Sequence, residues 1–217
     1  MRVKGFRGTL TTAHLELMRL PQRFWKVKYG QMEPDLREQV GKYLRSVHDW
    51  LDRGEGLMLW GKNGRGKTAA ACYVAKEVRR TGASVLFVTA STLVQSAMGK
   101  DVDYEDAEGL SLIQRATIVD FLVIDDLGKE PRGGKNGSSW SERILETLLR
   151  ERVAARRTTW ITTNMSVRAG EDASGSLFDL YKVSMREVLK ESVYPYYVEG
   201  PNLRDPMSTD LGERLAM

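Results

Sequence analysis

A single cysteine, Cys72, stands in a chain of 217 residues. No intramolecular disulfide can form, which excludes a disulfide-stapled scaffold and fits a reducing cytoplasm. On the helix expected there, Cys72 reads as a small buried residue. Histidine is almost as scarce. His14 and His48 lie far apart with no cysteine or carboxylate cluster at ligand spacing, so no zinc site is expected. No apolar run approaches the length of a membrane span, and the N-terminus lacks a signal peptide's apolar segment, so no membrane contact is expected. Internal repeats and low-complexity tracts are absent as well. With 41% hydrophobic and 29% charged residues, the rest is ordinary for a soluble globular protein of one domain with small appendages. A net charge of +4 permits nucleic-acid binding. Basic residues cluster at Arg2, Lys4 and Arg7, at Arg23, Lys26 and Lys28, at Lys129, Arg132 and Lys135, and at Arg150, Arg152, Arg156 and Arg157. A solvated basic surface accounts for them equally well.

Against that background one stretch is distinctive. Gly61-Lys62-Asn63-Gly64-Arg65-Gly66-Lys67-Thr68 fits the phosphate-loop pattern G-x-x-x-x-G-K-[ST] at every fixed position. Leu57 to Leu59 before it suit a short buried strand, and the alanine-rich run from Thr68 to Arg80 suits a helix. The glycines let backbone N–H groups turn inward toward phosphate oxygens. The helix beginning near Ala69 adds the positive end of its dipole. Lys67 is expected at the β- and γ-phosphates of a nucleotide and the Thr68 hydroxyl on Mg²⁺.

Further along, the chain alternates strands and helices. Strands are expected at Ser84 to Thr89, Phe121 to Ile124, Thr158 to Thr163 and Tyr196 to Val198. Helices are expected at Thr12 to Leu20, Asp35 to Arg53, Ser91 to Met98, Gly109 to Arg115, Ser141 to Ala155 and Leu177 to Glu191, with polar loops over Lys100 to Glu108 and Gly128 to Ser139. Alternation of this kind implies an α/β fold with a parallel sheet covered on both faces.

Two strand ends carry the remaining chemistry. Phe121-Leu122-Val123-Ile124 runs into Asp125-Asp126, the form of a Walker-B element. Asp125 would reach the magnesium shell, and Asp126 would orient or deprotonate the attacking water. Trp160-Ile161-Thr162-Thr163 runs into Asn164, which would face the γ-phosphate if ligands bind at the strands' C-terminal edge. A strand-ending turn residue is the plainer account of that asparagine.

Together these elements resemble the AAA+ ATPases of the bacterial and phage helicase-loader group, the DnaC, DnaI and IstB-like proteins. The resemblance runs from about Leu20 to Asp205. Leu20-Pro21-Gln22-Arg23-Phe24 looks like the group's I-P-x-R-[YF], Asp125-Asp126-Leu127-Gly128-Lys129-Glu130 like its D-D-[LI]-G-x-E, and Thr162-Thr163-Asn164 like its sensor-1 T-[ST]-N. Trp140 and a helix carrying Arg152 follow as in the group. The resemblance implies a P-loop NTPase of AAA+ type, a three-layer sandwich with a five-stranded parallel sheet and a truncated lid. It implies Asn164 as the residue positioning the hydrolytic water. It implies Arg186 as an arginine finger serving a neighbouring subunit, although Lys182 stands where the group has its first arginine of that segment. Glu199-Gly200-Pro201-Asn202-Leu203-Arg204 is similar to its closing E-G-x-S-Y-R, with Arg204 as sensor 2. The organisation implied is a short basic arm and helix over 1–20, an ATPase domain over 21–205 and a tail over 206–217.

The function implied is an ATP-hydrolysing helicase loader that binds single-stranded DNA and a replicative helicase and self-associates through Arg186. With so few residues before Pro21, helicase contact is expected from the arm, from another surface or not at all. An IstB-like transposition regulator on duplex DNA, a nucleotide-gated binding module with little hydrolysis, and a small nucleotide kinase remain as alternatives. The kinase fits least, because such enzymes usually begin with the phosphate loop.

Overall fold

Five strands form one parallel sheet in the computed structural model, which describes residues 9–99, 109–131, 140–168 and 176–203. They are β1 (Gly56–Trp60), β2 (Val85–Thr89), β3 (Phe121–Asp125), β4 (Thr158–Thr163) and β5 (Val193–Tyr197), laid out in the order β2-β3-β4-β1-β5. Every neighbouring pair is parallel. Strands β1, β3 and β4 are buried along their whole length, as central strands covered on both faces must be. Their residues alternate between two cores. Leu57, Leu59, Phe121, Val123 and Trp160 pack with α1 (Thr12–Leu17), α2 (Pro34–Arg45), α3 (Val47–Arg53) and α4 (Lys67–Arg80). Met58, Trp60, Leu122, Ile124 and Ile161 pack with α5 (Ala90–Ala97), α6 (Leu112–Ile118), α7 (Trp140–Ala154), α8 (Leu177–Leu180) and α9 (Val183–Ser192). The result is the expected three-layer α/β sandwich.

The edges of the sheet are managed locally. Beside β2, the Phe87 N–H donates to the Met18 carbonyl at 2.8 Å, which ties the end of α1 to that strand. On β5, Pro195 supplies no donor, a residue type tolerated at sheet edges and inhibitory to further strand addition.

Three expectations need correction. The helix over Asp35 to Arg53 is two helices that part at Ser46, whose φ/ψ of −115°/28° is not helical. The break lets Tyr43 stack on Trp50 at 5.0 Å and meet Trp160 edge-on at 4.7 Å. The helix over Leu177 to Glu191 is also two, parted by an extended Tyr181. Buried carboxylates hold that break. Tyr181 Oη donates to Glu130 Oε1 at 2.7 Å, and the Lys182 N–H donates to Glu142 Oε1 at 2.5 Å. The last strand begins three residues earlier than the expected Tyr196, because Val193 to Tyr197 all pair with β1.

Arg152 overturns a further reading. Grouped by sequence with basic residues suited to a phosphate backbone, it is completely buried. Its guanidinium donates to the carbonyls of Ala116 (2.6 Å), Val119 (2.8 Å) and Thr158 (2.6 Å) and to the Thr159 hydroxyl (2.9 Å). Burial pushes its pKa down to about 9, so it stays charged at neutral pH. Arg152 is an internal clamp joining the end of α6 to the starts of β3 and β4, and it is closed to nucleic acid.

Candidate functional site

The C-terminal ends of β1, β3 and β4 converge on one edge of the sheet, where α/β folds gather their ligands. Beyond β1 the chain turns through Gly61 to Gly66 into α4. Gly64 and Gly66 both take left-handed φ values of 80° and 81°. A Cβ at Gly64 would displace the Asn202 side chain, and the left-handed φ itself favours glycine there. No side chain caps the start of α4, a helix N-terminus of the kind at which anions bind.

An open cavity of about 410 Å³ lies over this turn. It is lined by Asn63 to Ala69, by Asp126, Lys129 and Asn164, and by Arg23, Phe24 and Leu203. The loop residues expected to cradle phosphate thus line one cavity, except Gly61 and Lys62. Those two act through their carbonyls, which accept from Lys67 Nζ at 2.7 and 2.8 Å. The ammonium is thereby held close beneath the loop, ready for phosphate oxygens.

Thr68 Oγ1 donates to Asp125 Oδ1 at 2.9 Å. A hydroxyl and a carboxylate meeting at a phosphate loop form a hard, oxygen-only donor set suited to Mg²⁺ that keeps waters and phosphate oxygens as its other ligands. Burial raises the Asp125 pKa, against the hydrogen bonds from Thr162 and Thr68 that favour the carboxylate. No group of three or more acidic, histidine or cysteine residues that could hold a metal occurs among the described residues.

Beside it, Asp126 adopts a left-handed φ of 57°, tolerated by aspartate more than by most residues. Its N–H donates to Thr162 Oγ1 at 3.0 Å, and the Leu127 N–H donates to the Thr162 carbonyl at 2.9 Å. Its carboxylate accepts from Asn164 Nδ2 at 3.2 Å and from Lys129 Nζ at 2.9 Å. The two expected strand-end groups therefore touch across β3 and β4.

Arg186 does not line this cavity. It sits half-buried on the first turns of α9, with Nε buried and making no hydrogen bond. Arg204 lies outside the described residues, as do Arg2, Lys4, Arg7, Arg132, Lys135 and the loop over Lys100 to Glu108.

Sequence reasoning gave no role to Thr162 or Glu130, and it grouped Lys129 with basic surface residues instead of with Asp126. Thr162 joins both aspartates, since its hydroxyl donates to Asp125 Oδ1 at 2.5 Å while it accepts from Asp126. Glu130 is buried and accepts from the Gly128 N–H at 2.9 Å and from Tyr181. Both stand within the quoted motifs, and that placement was the available signal.

The family model described as IstB-like ATP binding protein matches residues 9–174, well over half of the chain. The chain belongs to that family. Among curated relatives, the replicative helicase loader DnaI of Bacillus subtilis is 26% identical over 130 residues, 59% of this chain and 39% of that protein. A putative insertion sequence ATP-binding protein, y4uH of Sinorhizobium fredii, is 32% identical over 123 residues, 55% of this chain and 44% of that protein. The chain thus spans less than half the length of these two relatives. Among solved structures, a DnaC helicase loader superposes with a TM-score of 0.64 at 20% identity, covering 82% of this chain and 100% of that one. A DnaI structure gives 0.61 at 21% identity, covering 85% and 94%. The AMPPCP-bound DnaA of Aquifex aeolicus gives 0.56 at 15% identity, covering 91% and 56%. The fold is therefore that of the AAA+ P-loop ATPases, and the family is ATP-binding. No helix among the described residues is long and apolar enough to cross a membrane.

Proposed function

We propose that this protein binds and hydrolyses ATP with Mg²⁺ and uses the cycle to load or remodel a replicative helicase on single-stranded DNA. The observation that carries the reading is the meeting of Thr68, Asp125, Asp126 and Asn164 at one strand edge, above a phosphate loop. The loop N–H groups and Lys67 bind the triphosphate and neutralise its charge. Thr68 and Asp125 would hold Mg²⁺, whose charge would stabilise the phosphate oxygens. Asp126 aligns a water and takes its proton as the water oxygen attacks the γ-phosphorus. The bond to the bridging oxygen then breaks and ADP leaves. Asn164 fixes the direction of the Asp126 carboxylate. Arg204, beyond the described residues, is assigned to the same subunit's γ-phosphate.

Arg186 is assigned to a neighbouring subunit's nucleotide. Its absence from the lining of its own chain's cavity is consistent with that assignment. ATP would then favour self-association and hydrolysis would reverse it. The loader role rests on the likeness to DnaI. A second reading, a transposition regulator assembling on duplex DNA, is favoured by the family model and by the likeness to y4uH.

ATP turnover of the purified protein, alone, with single-stranded DNA, with duplex DNA and with a replicative helicase, separates them. Stimulation by single strands and helicase supports the loader. Stimulation by duplex alone supports the transposition reading. Turnover indifferent to every addition contradicts both.

A further inference from the structure

Lys76 is the second lysine of α4, and it is nearly as buried as Lys67, at 7% exposure. Among the described residues no carboxylate forms an ion pair with its ammonium, although Glu77 lies close enough to act on it through space. Its ammonium donates to the carbonyls of Trp25 and Val27, both at 2.9 Å, and lies 5.9 Å from the Tyr73 ring centroid. A buried charge satisfied only by neutral acceptors is costly, where an apolar side chain of the same length would pack freely. Burial accordingly lowers its pKa.

The segment it grips is closed by local hydrogen bonds, and its Phe24 and Trp25 also pack against the core on that side of the sheet. Phe24 N–H donates to the Pro21 carbonyl at 2.9 Å, Val27 N–H to Phe24 at 3.2 Å, and Trp25 Nε1 to the Leu20 carbonyl at 2.8 Å. Inside this turn, Arg23 and Phe24 face the cavity over the phosphate loop, with the Arg23 guanidinium 4.5 Å from the Phe24 ring centroid. A stacked guanidinium and phenyl ring is a surface for a planar heteroaromatic ring. Ala69, in the cavity lining, and Lys76 are seven residues apart and so share one face of α4, separated by about 10 Å along its axis. One helix thus begins at the phosphate loop and, two turns on, grips the backbone just after the Arg23–Phe24 part of the cavity lining.

We propose that Lys76 is a positioning residue that fixes the Arg23–Phe24 part of the cavity lining against the base of the bound nucleotide. It makes affinity for the base depend on a side chain that touches no part of the ligand. This rests on the reading of the cavity as a nucleotide site.

The test uses the full chain and two ligands, Mg-ATP and Mg-tripolyphosphate, the second carrying phosphates without a base. Equilibrium binding is measured for wild type, Lys76→Met, Phe24→Ala and the double variant. The expected result is a loss of roughly tenfold in ATP affinity for Lys76→Met with tripolyphosphate binding unchanged. Phe24→Ala shows the same selective loss, and the double variant is no weaker than the weaker single. Lys76→Arg, which keeps donors for both carbonyls, restores ATP affinity, and it carries the test if the methionine variant does not fold. Equal loss of both ligands, or losses that multiply in the double variant, overturns the proposal. Wild-type binding of both ligands with Lys76→Met unaffected overturns it while leaving the nucleotide site intact. Wild-type binding of neither ligand removes the nucleotide site, and this inference with it.

Discussion

Replacing Thr162 by valine tests how the site is held. The side chain is 1% exposed, and valine matches its volume and its preference for a strand. What changes is one hydroxyl. Its bond to the Asp125 carboxylate at 2.5 Å is charge-assisted, and its acceptance of the Asp126 N–H at 3.0 Å anchors a residue in a left-handed backbone conformation. Losing the first costs roughly 1.5–3 kcal/mol, and stranding the second donor costs roughly 1–3 kcal/mol. Asp126 is half-exposed and water can meet part of that demand, so about 2–4 kcal/mol is expected in total. For a chain of this size that lowers Tm by about 10 °C. Turnover should fall about 10- to 100-fold, as for other residues that orient ligands from behind. ATP affinity should change little, because Lys67 and the loop are untouched. Thermal melts, equilibrium ATP binding and single-turnover hydrolysis measure the three quantities, and Thr162→Ser should restore turnover. Wild-type turnover in the valine variant, or loss of ATP binding together with turnover, refutes the reasoning.

Arg152→Met should lose about 3–5 kcal/mol in urea unfolding, because three buried carbonyls lose their donor at once; a change under about 1 kcal/mol contradicts the clamp. Cys72 is completely buried and desolvation pushes its thiol pKa up, so a thiol-reactive dye should label the unfolded chain and leave the folded one unlabelled at pH 8. Asp126→Asn should bind ATP normally while turnover falls at least about 100-fold, read by comparing binding with hydrolysis; wild-type turnover would remove Asp126 from the mechanism. Arg186→Ala should weaken ATP-dependent self-association in sedimentation while each chain still binds ATP, and unchanged assembly and turnover would exclude it as a finger.

Much of the framework was legible because burial writes itself into composition. The apolar runs of β1 and β3 mark strands covered on both faces, and the phosphate loop and Asp125-Asp126 stand at their tips. The helix breaks at Ser46 and Tyr181 were not, since each is imposed by partners remote in sequence, such as Glu130 fifty-one positions from Tyr181. Arg152 was misread by counting charges. The signal lay in its phase, because Leu145, Leu148, Leu149 and Arg152 recur at helical spacing and place the arginine on the buried stripe of α7. Thr162 was quoted for its motif, yet only the register of β3 against β4 brings its hydroxyl between two aspartates. Lys76 gave no sign at all, as one more charge on a helix of mixed composition.

The most direct test of the central claim is equilibrium titration of the wild-type protein and Lys67→Ala with Mg-ATP. The account predicts saturable binding by the wild type and a loss of at least about 100-fold in the variant, because the ammonium held under the loop is the cation assigned to the β- and γ-phosphates. No saturable binding by the wild type, or equal binding by the two proteins, would contradict it.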